Sequence, residues 1–276
     1  MAGKAKLVHG DDLIYRFLRD LLTDEEGEYG AVPRALLAAT GVWFPLPVYR
    51  TQPVLAPYLV RDPTCRGGQG KPDEWGSPDS AGFLRDDNSL IKGLPRSLAI
   101  SAPSQKHLNG RRMATEFVAA HVWRQCSDSG PLASRRPLLN SFVPNLVWLP
   151  SQIAKLTDVE GSVVQRTLQR MSWALYRPER VDAGLEAVVD EAWSLLPEPV
   201  EASEQQFDQW NYFVPTDRFF GTRVQRLQTV IEAIEQVLAG RELTHKVITS
   251  RYTDGLAAVP EAELLTLRGF LRRFAV

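Results

Sequence analysis

Met113-Ala-Thr-Glu-Phe-Val-Ala-Ala-His121-Val-Trp123, then about twenty residues of loop, then Asn145-Leu-Val-Trp-Leu-Pro150 and Ser151-Gln152, is the stretch on which the fold turns. The first run is apolar, with β-branched and aromatic members, and it ends in a single histidine; this is the pattern of a strand over 113–120. The second run is bounded by Pro144 and Pro150, which confines its strand to 146–149 because proline cannot donate to a ladder. Ser151 then opens a helix. Strand, histidine, loop, Asn-Leu-Val strand and helix make a compact unit able to present one imidazole at a strand end.

The flanks read differently. Asp11 and Asp12 are cap candidates for a helix over 11–23, where Leu13, Ile14, Phe17, Leu18, Leu21 and Leu22 recur at helical spacing. A second helix over 32–39 stops at Gly41. Residues 61–80 are dense in Gly, Pro, Asp and Ser and predict a long loop, either approaching a substrate or a disordered insertion. Residues 97–101 predict a short strand, and Asn109-Gly110 a hairpin turn. Beyond about residue 158 the pattern is helical almost throughout, with helices over 162–176, 181–196, 220–238 and 260–274. The fold class expected is α+β: a small central β-sheet carrying a ββα-like element, flanked by mostly helical N- and C-terminal regions. One integrated domain is expected over 1–276, helical in 1–60, with the core in about 80–160 and a helical remainder in 161–276.

Hydrophobic residues at 44 % and charged residues at 24 % fit a soluble globular protein. No apolar run approaches the roughly 18–20 residues a membrane helix needs, and the first residues lack the apolar segment of a signal peptide. Cys65 and Cys126 are too few and too far apart for a disulfide framework or a zinc knuckle, which fits a reducing cytoplasm. Net charge is −1, yet the stretch from Lys92 to Arg136 holds eight basic residues (Lys92, Arg96, Lys106, Arg111, Arg112, Arg124, Arg135, Arg136) against Glu116 and Asp128, an excess of six. A local basic patch is what phosphate binding requires of a neutral protein; a solvated arginine-rich face is the plainer alternative.

Phosphodiester hydrolysis needs a base for water, an electrophile for the phosphate and something to stabilise the leaving oxygen. A neutral histidine at a strand end can be the base, and a nearby asparagine carbonyl can fix its tautomer. No nucleophile elbow, Walker loop, dinucleotide fingerprint or His-Glu-x-x-His motif is present.

Ala120-His121-Val122-Trp123 and Asn145-Leu146-Val147-Trp148-Leu149-Pro150 resemble the two strands of the HNH, or ββα-metal, nucleases over about fifty residues, 111–158. The resemblance implies a DNA endonuclease of restriction or phage-defence type, with His121 as general base and Asn145 orienting the histidine or its loop. It also implies a divalent metal, with Mg²⁺ the expected ion, and a homodimer, for which the 220–238 helix is a candidate element, internal core being the plainer reading of its apolar stripe. Ala120 stands where the family places a metal ligand, so Asp158 and Gln152 are the replacement ligand candidates, with Asp86 and Asp87 behind them. Phosphate and DNA contacts are assigned to Arg111, Arg112, Arg124, Arg135, Arg136, Lys106 and His107. Arg111 is ten residues before His121, an even spacing that puts both on one face of a regular strand. The alternative function is a catalytically inactive nucleic-acid-binding or assembly subunit on the same scaffold.

Overall fold

The computed structural model describes residues 32–199 and 207–275; the helix expected over 11–23 lies outside them. Helix α1 (Val32–Thr40) ends at Gly41, whose amide bonds to the Leu37 carbonyl at 2.8 Å. A Cβ at Gly41 would sit 2.7 Å from that same oxygen, which explains the glycine stop. Then come β1 (Val42–Trp43), α2 (Leu46–Thr51), β2 (Leu59–Arg61), β3 (Leu84–Asp86), α3 (Ser89–Gly93), β4 (Ala99–Ser101) and β5 (Phe117–His121). After these follow α4 (Pro137–Asn140), β6 (Leu146–Pro150), α5 (Ser151–Ala154), α6 (Val163–Tyr176), α7 (Glu186–Ser194), β7 (Asn211–Val214), α8 (Asp217–Leu238), α9 (Ser250–Leu256) and α10 (Glu261–Arg272).

The fold is α+β. A five-stranded mixed sheet runs in the order β4-β7-β1-β6-β5, and β2 and β3 pair in parallel beside it. Strands β5 and β6 are antiparallel, with His121 opposite Leu146 and Phe117 opposite Pro150. The strand-loop-strand-helix order expected over 113–158 is therefore present as β5, β6 and α5. Leu146, Val147, Trp148 and Leu149 are all fully buried, as an inner strand covered on both faces requires. Trp148 packs edge-on against Phe44 and Phe213 at 5.2 and 5.3 Å between ring centroids, contacts worth about 0.5–1.5 kcal/mol each beyond area burial.

Two expectations are corrected. Strand β7 lies in the C-terminal stretch read as helical, and β1 in the helical first sixty residues; each is too short to show a period. The Asn211 amide places β7 by donating to the carbonyls of Ala38, Ala39 and Gly41 at 3.1 Å. The 61–80 stretch is not a disordered insertion, and its Arg61 and Pro63 line the cavity described below. Glu74 N bonds Cys65 O at 2.7 Å, Thr249 Oγ1 donates to Gly76 O at 2.6 Å, and Gly255 abuts Pro78. The apolar stripe of α8 is used inside the molecule, as its plainer reading expects: Leu227, Val230, Ile231, Ala233 and Ile234 are buried in one contiguous core. No helix among the described residues is long and apolar enough to cross a membrane.

Candidate functional site

His121 ends β5, an edge strand, and lines a cavity of about 650 Å³. The open side of β5 is met by Asn88, whose side-chain amide donates to the Ala119 carbonyl at 2.7 Å. Asn88 holds a left-handed backbone (φ 86°), a conformation asparagine tolerates better than most residues. This bend swings α3 across the strand, and the Trp148 indole fixes it by donating to Lys92 O at 3.2 Å. The cavity wall thus combines the end of β2 (Arg61), the start of α3 (Asp87, Asn88, Ser89, Lys92), β5, the 124–135 loop (Arg124, Ser134, Arg135) and residues 151–158 (Ser151, Lys155, Thr157, Asp158).

The Nε2 atom of His121 is 3.0 Å from the Asn140 carbonyl. A carbonyl oxygen can only accept, so Nε2 carries the proton and Nδ1 keeps its lone pair. Nδ1 makes no hydrogen bond among the described residues. Burial pushes the imidazole pKa down, the Arg61 charge pushes it further, and the Asn140 contact opposes both, leaving it at about 4. His121 is therefore neutral at pH 7. The unfolded chain binds a proton here below about pH 6.5 and the folded chain does not until about pH 4. Stability is accordingly expected to fall as pH drops through that window, by about 3 kcal/mol in total, with no contribution above it. Urea melts at pH 7, 5.5 and 4.5 read this directly, and His121→Phe should flatten the slope.

Five basic side chains, from Arg61, Lys92, Arg124, Arg135 and Lys155, face two carboxylates, Asp87 and Asp158. Asp87 is ion-paired with Arg66, and an Arg124 N–H donates to the Asp158 carbonyl. Among the described residues Arg61, Lys92 and Arg135 have no ion pair. Arg61 is held through a single hydrogen bond to Ser134 Oγ at 3.2 Å, and its Nε is buried without a partner. A half-buried guanidinium with five donors and one acceptor is short of negative charge. Among the described residues the cavity wall carries more positive than negative side chains.

The assigned residues divide accordingly. His121, Arg124, Arg135 and Asp158 come together in the cavity. Arg111 and Arg112 do not, because the strand is not regular: Glu116 takes φ 67°, and Arg112 bridges Ala99 of β4, at the other end of the sheet order. Lys106 and His107 are exposed on the turn between β4 and Gly110, away from the cavity. Arg136 is neutralised by Asp128 at 2.6 Å. Asn145 is fully buried: its carbonyl oxygen accepts from Trp123 N at 2.8 Å and its amide donates to Leu139 O at 3.0 Å. It clamps the chain just after His121, and the histidine's own partner is Asn140. Gln152 is exposed and outside the cavity, and Asp86 is buried, accepting from Leu90 N, Ile91 N and the Trp75 indole.

The metal-ligand expectation meets a poor donor set. Among the described residues no group of three or more His, Cys, Asp or Glu could hold an ion, and both cavity carboxylates sit among excess cations. Arg61, Lys92, Lys155 and the hydroxyls of Ser89, Ser134 and Ser151 were not singled out as site residues from sequence. The one local signal was the apolar run Tyr58-Leu-Val-Arg61, ending in a cation as β5 ends in a histidine. Comparison with protein-family models, curated proteins and solved structures gave no match.

Proposed function

We propose that the protein is a phosphodiester hydrolase acting on DNA, an endonuclease of restriction or phage-defence type, with His121 as the general base. The observation that carries this reading is the meeting of a neutral, Nδ1-free imidazole with three unpaired cations around one cavity. A backbone phosphate lies against Arg61, Lys92 and Arg135; Nδ1 takes a proton from the attacking water; the cations stabilise the charge that builds on the phosphoryl oxygens. Among the described residues the lining has no phenyl, phenol or indole ring, and its cations favour contact with the phosphate backbone. No step here is routed through a metal ion; Mg²⁺ and Mn²⁺ belong in the assay because the HNH resemblance implies them.

The affinity test is salt dependence. Neutralising the one phosphate held in the cavity gives a slope of log K against log salt of about −1, and Arg135→Ala, at an exposed site, should lessen it. Fluorescence anisotropy with a labelled duplex reads both. A slope near zero would leave no phosphate contact and end the proposal. The second reading, a DNA-binding subunit without catalysis, is favoured by the absence of a metal donor set among the described residues. Tight, salt-dependent binding without cleavage in Mg²⁺ or Mn²⁺ selects it. A homodimer, which a two-fold symmetric target would call for, has to use a face other than the α8 stripe.

A further inference from the structure

We propose that the main-chain amides of Ala119 and His121, on the open edge of β5, are anion donors of the cavity and hold the charged oxygens of a bound phosphodiester. This rests on the phosphate-binding reading above and adds to it two donors that no side chain reveals. Hydrogen-bond alternation in an antiparallel pair fixes which way these amides point. Val122 N donates to Asn145 O at 3.0 Å and Ser151 N to Glu116 O at 2.7 Å, and both pairs keep the β5–β6 register. The even-numbered residues of β5 therefore bond β6, while Phe117, Ala119 and His121 turn their main-chain groups the other way. Two residues of β6 agree with this. Trp148, opposite Ala119, pairs on its far side with Val42 of β1, and Pro150, which has no N–H, stands opposite Phe117.

Strand β5 is the last of its sheet, so no neighbouring strand meets those groups. Asn88 takes the Ala119 carbonyl at 2.7 Å, but the Ala119 and His121 amides have no partner among the described residues. Ala119 is only 4 % exposed, and a buried N–H without an acceptor is rare enough to call for a ligand or a water. Val118, Ala119, Ala120 and His121 all line the cavity. Consecutive side chains alternate between the two faces of a strand, so a cavity touched by all four runs along its edge, where the main chain points. Asn88 caps the carbonyl that lies between the two amides. It thereby removes an acceptor and leaves the donors, which opposes addition of a peptide strand and favours an anion. The excess of cations on the same wall acts in the same direction. Asn88 Oδ1 is itself buried without a partner, which makes a water shared between it and the Ala119 amide the competing occupant.

The test is a heteronuclear NMR titration of the full chain with a short labelled oligothymidylate at fixed ionic strength, with binding followed by anisotropy in the same samples. The Ala119 and His121 amide signals should move downfield and saturate together with the anisotropy, ahead of those of Val118 and Ala120, which already donate within the ladder. Ala119→Pro deletes one donor that lies outside the ladder, a position where an edge strand tolerates proline. It should melt close to the wild type and bind the oligonucleotide about 10–100-fold more weakly, the worth of a hydrogen bond to a charged group. If Ala119→Pro does not fold, the amide shifts of the wild type decide the matter. Oligonucleotide bound with both amides unmoved, or a folded Ala119→Pro that binds as tightly as the wild type, leaves this edge to water and overturns the inference alone. No binding at all overturns the phosphate reading and this inference together.

Discussion

His121→Ala is expected to lower the rate of plasmid cleavage by ~10²–10⁴-fold, the usual contribution of a positioned general base. DNA affinity should change little, because the cations that meet the phosphates are untouched. The imidazole makes one hydrogen bond, to the Asn140 carbonyl, and it stands at a cavity wall where water can replace it. The fold should therefore survive with a loss of about 1–2 kcal/mol. Supercoiled plasmid in Mg²⁺ or Mn²⁺, with nicked and linear products quantified over time, gives the rate, and a thermal melt confirms folding. A folded variant that cleaves like the wild type would remove His121 from the chemistry.

Asn145→Ala is expected to act on stability instead. The substitution strands the Trp123 N–H, and it removes one donor from the Leu139 carbonyl, which keeps the Ser141 and Phe142 amides, in a region where Leu139, Trp123 and Asn145 all have zero exposure. The unsatisfied Trp123 N–H costs about 1–3 kcal/mol and the lost bond to Leu139 about 0.5–1.5 kcal/mol, so a total of about 1.5–4.5 kcal/mol is set against a domain stability of about 5–15 kcal/mol. Asn145→Asp separates the two bonds: a carboxylate can still accept from Trp123 N but repels the Leu139 oxygen. Urea unfolding of both variants is the measurement. If Asn145→Ala keeps wild-type stability yet loses cleavage, the residue is part of the chemistry and the clamp assignment is wrong.

The contrast between these two residues shows what the sequence could reveal. Elements with their own period were legible. The helices α6, α8 and α10 carry long apolar stripes, and β6 announces itself as an apolar run between prolines. Strands β1, β2, β3 and β7 have two to four residues each and exist because distant segments pair with them, so no local pattern marks them. The site divides in the same way. His121 stood out as a lone histidine closing an apolar strand. Arg61 and Lys155 reach it only through the β2–β3 pairing and the helix that follows β6, which spacing along the chain does not encode. Arg111 was misplaced by assuming that pleat alternation continued through Glu116, where a positive φ breaks it. Asn145 was correctly linked to the histidine's loop, but its amide groups are taken up by main-chain partners and do not reach the ring.

The expected pH behaviour ties site to fold. The same burial and the same Arg61 charge that keep His121 neutral make it a liability in acid, so the arrangement is retained at the expense of stability below about pH 6.5.

The most direct measurement is a crystal structure of His121→Ala bound to an oligonucleotide duplex. A backbone phosphate should lie in the cavity against Arg61, Lys92 and Arg135, with its phosphorus one water away from where Nδ1 would be. DNA seated on another face, with only solvent between Arg61 and position 121, would contradict the account.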